Sequence, residues 1–243
     1  KFDYSINPNC TPDGFEALDY DCKNWDDIRV PAHIQMEGYD RPHYANVAYP
    51  WDGRQSLKSG EAPTDFNPVG SYVKYFTLPK DFLKDSLILR FEGVESAAAI
   101  WLNGHYIGYC EDSFTPSEFD LTKYIVEGEN KLAIQVTKWC AGSWLEDQDF
   151  FRFSGIFRDI YLYTKPKCHL EDIEIKQVFE KGSFDNVKLN LSIDLSNNAN
   201  VALKLFDAMD FTLKSNEFKG FEEMPVVYES LTNLHSGKNK LSF

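Results

Sequence analysis

The chain has 243 residues, a net charge of −13, 43% hydrophobic residues and 15% aromatic ones. Such a composition supports a packed core and is unlike that of a disordered chain. The acidity argues against nucleic acid, which is held by clustered Lys and Arg, and against docking on anionic lipid.

Cys10, Cys22, Cys110, Cys140 and Cys168 are scattered with no CxxC pair. They indicate neither a thiol zinc site nor a redox motif, and isolated structural thiols are expected. No apolar run approaches the ~18 residues of a helical membrane span. Lys1 opens into polar sequence without an initiator Met, so the chain reads as cut from a longer one.

Residues 1–27 read as an irregular arm with turn signals at Asn7-Pro8-Asn9 and Thr11-Pro12-Asp13-Gly14. Residues 30–51 hold prolines, aromatics, His33, His43 and Asn46 without a period of ~2 or ~3.6. They are expected to be a long loop, either functional or packed on the surface. The two histidines lack a partner at metal-ligand spacing and read as loop or core residues. Residues 51–70 read as a Gly/Pro-rich linker.

From Ser71 the text turns to strands, expected at 72–78, 87–91 and 131–136, with Asn103-Gly104 as a hairpin turn between 97–102 and 105–109. Residues 113–120 read as a loop, with Asp120 capping a helical turn over 121–124. Residues 156–163 are the expected closing strand. Lys165-Pro166-Lys167 is the clearest boundary, and beyond it lie short alternating strands at 173–178, 187–195, 201–206 and 226–228. That tail reads as a second β-sandwich domain, cut short before its last strands.

After the apolar run that ends at Trp139 comes a stretch rich in charge and aromaticity, residues 144–159. Glu146, Asp147, Asp149, Arg152 and Arg158 fall within it among several aromatics. An ordered loop of this kind between strands is where binding residues tend to sit. The competing reading is a loop stapled by Arg–carboxylate pairs, with aromatics plugging the core. Paired carboxylates also suggest glycosidase chemistry, but neighbours in sequence are poorly placed to flank opposite faces of a sugar ring. Arg152 and Arg158 are read as pairing with carboxylates to hold the loop. Trp101 and Trp139, each in a strand pattern, are read as core.

A set of motifs occurs in one order: Val30-Pro31, Gln35-Met36, Gly38-Tyr39-Asp40, Tyr44-Ala45-Asn46-Val47, Tyr49-Pro50 and Pro68-Val69-Gly70. It continues with Trp101-Leu102-Asn103-Gly104, Gly108-Tyr109, Pro116-Ser117-Glu118-Phe119-Asp120-Leu121 and Gly128-Glu129-Asn130. Trp144-Leu145-Glu146-Asp147-Gln148-Asp149, Arg152 and Ser154-Gly155-Ile156-Phe157-Arg158-Asp159 close it. Together they resemble the N-terminal region of the large bacterial β-galactosidases of glycoside hydrolase family two, over roughly residues 25–180.

The resemblance implies an all-β chain: a galactose-binding-like jelly-roll β-sandwich over residues 1–165, then a partial immunoglobulin-like β-sandwich over 166–243. It implies that the catalytic glutamates sit on a TIM barrel elsewhere in the parent chain, so no catalytic residue is expected here. Asn46 matches an asparagine that reaches the galactose site. Asp149 matches an aspartate that bonds a galactose hydroxyl and ligates sodium shared with the barrel. Glu146, Asp147, Arg152 and Arg158 are left as loop support. Sodium and magnesium are implied for the parent, as are a β-galactoside substrate, a homo-oligomeric state and no partnership with nucleic acid or membrane. The fragment alone is expected to be inactive. Alternatives are a stand-alone carbohydrate-binding module, or the corresponding part of a β-glucuronidase or β-mannosidase. Residues 51–70 and the arm before Trp25 depart from the family pattern.

Overall fold

In a computed structural model, residues 1–146, 149–182, 187–206 and 226–242 are described. The chain divides into two compact units, Lys1–Lys165 and Pro166–Phe243. Strands dominate both, and the only helical pieces among the described residues are short 3-10 turns.

The first unit is a sandwich of antiparallel sheets. One has five strands: β1 (Phe2–Ser5), β3 (Val69–Thr77), β8 (Glu129–Thr137), β5 (Ala97–Leu102) and β6 (His105–Cys110), in that spatial order. The other sets β4 (Ser86–Phe91) between β10 (Ile160–Lys165) and β7 (Ser117–Asp120). Alternation fixes which side chains meet, because successive residues of a strand point to opposite faces. Leu87, Leu89 and Phe91 of β4 thus face Tyr72, Ile100, Leu132, Ile134 and Val136, and these residues form the main core. A two-stranded ribbon, β2 (His43–Ala45) with β9 (Phe150–Arg152), sits apart from both sheets in the pairing scheme.

The hairpin forms where Asn103-Gly104 requires it: their φ values are 52° and 82°, as a type I′ turn demands. Asn103 fastens the turn by donating to Tyr124 O at 2.9 Å and to Asn130 Oδ1 at 2.8 Å. Asp120 accepts from Thr122 N at 2.8 Å. Beyond it the chain makes a single hydrogen-bonded turn, with Tyr124 N on Leu121 O at 2.9 Å.

Several expectations are corrected. The arm begins with a true strand, β1, and its remainder covers the outer face of the five-stranded sheet. Phe15, Cys22, Tyr20 and Trp25 there pack with Val73, Ala133 and Trp101 as a second small core. Lys131 is buried beneath the arm, donating to Ala17 O and facing the rings of Tyr20 and Tyr75 at 5.6 and 6.0 Å. The arm lacks periodicity because its order comes from turns and tertiary cover instead of a ladder.

The expected loop at 113–120 contains β7, which pairs with β4 through Phe119 opposite Leu89. The closing strand starts at Ile160 instead of Ile156, because the Ile156 carbonyl accepts from Ala32 N at 2.8 Å. Residues 51–70 are more than a linker: Trp51 is 3% exposed and stacks on Tyr49 at 5.1 Å and 6°. All five cysteines are free thiols.

Gly155 shows how tightly the segment after β9 is held. Its φ is +118°, and a Cβ there would lie 3.0 Å from Ala32 O and 3.1 Å from Ile34 N. Gly155→Ala is therefore expected to cost about 2 kcal/mol of unfolding free energy in chemical denaturation. A cost near zero would show that the segment relaxes freely.

The second unit holds β11 (Leu170–Phe179), β12 (Val187–Leu195) and β15 (Gly237–Ser242) in one sheet, and β13 (Ala199–Phe206) with β14 (Val226–Leu234) in another. Ile193, Leu195 and Leu234 form its core, with Val201, Leu203 and Leu241 packed against them. β15 escapes a sequence reading because Gly237-Lys238-Asn239-Lys240 is polar, although it pairs along β12 from Gly237↔Leu195 to Ser242↔Asn190.

Candidate functional site

The ribbon between β2 and β9 brings together two stretches about a hundred positions apart in the chain. His43 pairs with Arg152, Tyr44 with Phe151 and Ala45 with Phe150. Asn46 and Asp149 directly follow and precede the last pair of that ladder, and both side chains reach the Tyr44 hydroxyl. The Tyr44 hydroxyl donates to Asp149 Oδ1 at 2.5 Å. That carboxylate holds the Tyr44 phenol above its ordinary pKa, while the Asn46 side chain pulls the other way. Asn46 Oδ1 also accepts from Val47 N at 2.8 Å.

Asn46 and Asp149 are both exposed. Tyr44 and Phe151 pack with ring centroids 5.4 Å apart, and each is 53% exposed. An open carboxylate, a carboxamide and aromatic faces therefore share one edge. A carboxylate accepts strongly from hydroxyls, an amide both donates and accepts, and flat apolar faces suit the C–H face of a sugar.

Behind this edge the support is layered. Glu146 accepts from Ser113 Oγ at 2.9 Å and Ser113 N at 3.3 Å, and burial pushes its carboxyl above the ordinary value. Arg152 is 6% exposed, donates to Glu146 O and lies over the Phe150 ring at 4.4 Å. Arg158 differs from the sequence expectation of a carboxylate partner. It donates to Phe114 O at 2.8 Å and Glu92 O at 3.2 Å, and stacks on Phe157 at 5.0 Å. Carbonyls of a loop have no ladder to fill them, and a fork of donors can. Asp147 lies outside the described residues.

The aromatics flanking the loop are closely packed. Trp144 lies 4.5 Å from Tyr49 and 5.0 Å from Trp51, and its indole N–H donates to Glu61 O at 2.8 Å. Trp139 is 4% exposed, a core residue. Trp101 lies on the opposite face, under the arm.

Deeper still is a polar cluster that sequence reasoning does not single out. Lys138 is fully buried, with Nζ 2.6 Å from Asp40 Oδ2. Gln35 donates to that same Oδ2 at 2.9 Å and accepts from Ser154 N at 3.0 Å. Glu95, 6% exposed, has Oε2 3.6 Å from His33 Nδ1. One signal could have found Lys138. It continues the inward parity of Leu132, Ile134 and Val136, so the strand must carry an ammonium into its interior.

Among the described residues no group of three His, Cys, Asp or Glu is arranged to hold a metal ion. Asp149 offers one hard oxygen ligand of the kind sodium takes, so the fit here is that of a contributor, not a whole site. The described residues provide no corresponding arrangement for magnesium.

An exposed amide, a carboxylate and aromatic rings thus share one edge of a jelly-roll sandwich. The profile described as "Glycosyl hydrolases family 2, sugar binding domain" matches residues 1–166. A β-galactosidase of Halalkalibacterium halodurans is 48% identical over 95% of this chain and 23% of its own length. A β-galactosidase large subunit of Latilactobacillus sakei is 40% identical over 96% of this chain and 40% of its own. The chain belongs to glycosyl hydrolase family 2, and it spans less than half the length of these curated relatives.

Solved structures agree on the fold. A β-glucuronidase of Bacteroides uniformis covers 100% of this chain and 26% of its own, with a TM-score of 0.63 at 17% identity. A β-glycosidase of Bacteroides vulgatus covers 99% of this chain and 28% of its own, with a TM-score of 0.61 at 19% identity.

Proposed function

We propose that this chain is the non-catalytic N-terminal part of a retaining β-galactosidase and supplies one rim of its galactose pocket. The observation that carries this reading is the β2–β9 ribbon, at whose end the Tyr44 hydroxyl meets both the Asp149 carboxylate and the Asn46 side chain. Asp149 accepts from a galactose hydroxyl and offers an oxygen to sodium. Asn46 donates to and accepts from neighbouring hydroxyls. Tyr44 fixes the Asp149 carboxylate from one side, and its exposed ring with that of Phe151 walls the rim. Glu146, Arg152 and Arg158 keep the loop in place. The acid/base and nucleophilic carboxyls belong to the remainder of the parent protein, which also completes the sodium site. The galactosidase names of relatives at 48% and 40% identity support this sugar choice. The glucuronidase neighbour, at 17% identity, supports the fold alone.

The test uses the parent enzyme and this chain side by side. In the parent, Asp149→Ala should lower kcat/KM on an aryl β-galactoside by about 2 kcal/mol, roughly 30-fold, as loss of a hydrogen bond to a charged group does. The 243-residue chain should show no turnover. Turnover by the chain alone that Asp149→Ala abolishes, or a parent variant with unchanged kinetics, would refute the reading.

A further inference from the structure

The segment 149–155 is fixed from behind by Glu95. Its main chain exchanges two hydrogen bonds with Gly155, at 3.0 and 2.8 Å. Its side chain faces a small cavity of about 10 Å³ that Ser96, Trp139, Ser143, Glu146 and Arg152 also line. That is room for about one water. Charged groups reach Glu95 from every side: Arg152 from β9, Glu146 from the loop before it, Lys138 from the end of β8 and His33 from the loop before β2.

The charges do not balance. Glu95, Glu146 and Asp40 are carboxyls, while Lys138 and Arg152 are the cations, and Lys138 is already engaged by Asp40 at 2.6 Å. Uncompensated buried charge is costly, so one further proton stabilises the cluster. Three groups could carry it, Glu95, His33 and Glu146, and the two donors from Ser113 favour the charged form of Glu146. His33 is stacked between Phe153 at 4.6 Å and Phe157 at 5.0 Å, and its Nδ1 has no hydrogen-bond partner.

We propose that Glu95 is a positioning residue for the Asn46–Asp149 pair, acting through Arg152 and Phe153 while it carries the cluster's extra proton. Burial favours a neutral His33. Burial first and the neighbouring Glu146 second push Glu95 up to about 7, which places the proton on its carboxyl. Loss of that proton draws the new carboxylate toward Arg152 and His33 and away from Glu146. β9 moves with Arg152, and the β2–β9 register carries the change to Asp149. The consequence for sugar binding rests on the function proposed above; the coupling itself does not.

The test follows the backbone amides of Phe150, Phe151 and Val47 in the ¹⁵N-labelled chain, titrated from about pH 5.5 to about 8.5 around the ordinary histidine value. They should shift together with one midpoint near neutrality. Glu95→Gln should abolish that step and hold the low-pH positions, whereas Glu95→Asp and His33→Gln should retain a step. A step that survives Glu95→Gln, no step at all, or a step removed by His43→Gln with Glu95 intact overturns the proposal. His43 is the control because it faces Arg152 across the ribbon. Should Glu95→Gln fail to fold, the wild-type Glu95 carboxyl ¹³C signal is read directly. It should move with the amides, and a midpoint in the ordinary carboxylate range overturns the proposal. The parent enzyme separates the two readings: an intact pH step in the chain together with unchanged kinetics of the parent's Asp149→Ala variant counts against the sugar-rim reading alone.

Discussion

Lys138→Met is expected to lower the unfolding free energy of the first unit by about 3–5 kcal/mol, the range for breaking a buried ion pair from one side. Lys138 is fully buried, and Asp40, 2.6 Å away, is nearly as buried. Burial works to raise the Asp40 pKa, and the hydrogen bonds from Lys138 and Gln35 overcome it, leaving that carboxyl below its ordinary value. Without the ammonium, Asp40 must either stay charged without its partner or take up a proton at a cost.

The effect would spread, because Gln35 bridges Asp40 to Ser154, at 2.9 Å from each. Urea denaturation of the variant should show a lower midpoint with an unchanged slope. Combining Lys138→Met with Asp40→Asn should recover much of the loss, since the charge left behind is then gone. A single-variant cost below about 1 kcal/mol would mean that the pair behaves as an exposed one.

This pair also marks what the sequence could and could not disclose. The sandwich is legible, because alternation in 72–78, 87–91 and 131–136 and the Asn103-Gly104 turn act within a few residues of one another. The ribbon is not. His43–Ala45 and Phe150–Arg152 are short, carry no alternation of their own and form only by pairing with each other. Asn46 and Asp149 are therefore reached through resemblance and not through periodicity. Their shared contact with the Tyr44 hydroxyl depends on that pairing, which is a tertiary fact.

Arg158 escapes for a related reason. Sequence counts the carboxylates near it but not the unfilled carbonyls of Phe114 and Glu92, which fold back from distant positions. Glu95 sits in a short connection between two strands and carries no signal of its own. Nothing local reports that Gly155, Arg152 and His33 close over it.

Glu95 should also impose a pH dependence on stability, with a sign opposite to that of a salt-bridged carboxylate. Its carboxyl titrates at an ordinary 4.5 when unfolded and at about 7 when folded. Below the unfolded value both states hold the proton, and its contribution to stability is fully present. Between the two values the folded state alone holds it, so stability falls as pH rises. Above the folded value the loss is complete. With about 1.36 kcal/mol for each pKa unit, it amounts to about 3 kcal/mol.

Glu95→Gln keeps the shape and removes the titration. The quantity to measure is the difference in unfolding free energy between variant and wild type. It cancels the titration of Asp40 and Glu118, whose lowered pKa values give the reverse slope in acid. That difference should move in favour of the variant by about 3 kcal/mol from acid to mildly alkaline pH. A difference that stays flat would place the Glu95 carboxyl in contact with water. A difference of the reverse sign would make it a charged partner of Arg152 and Lys138. In that case the extra proton of the cluster would reside on His33 or Glu146.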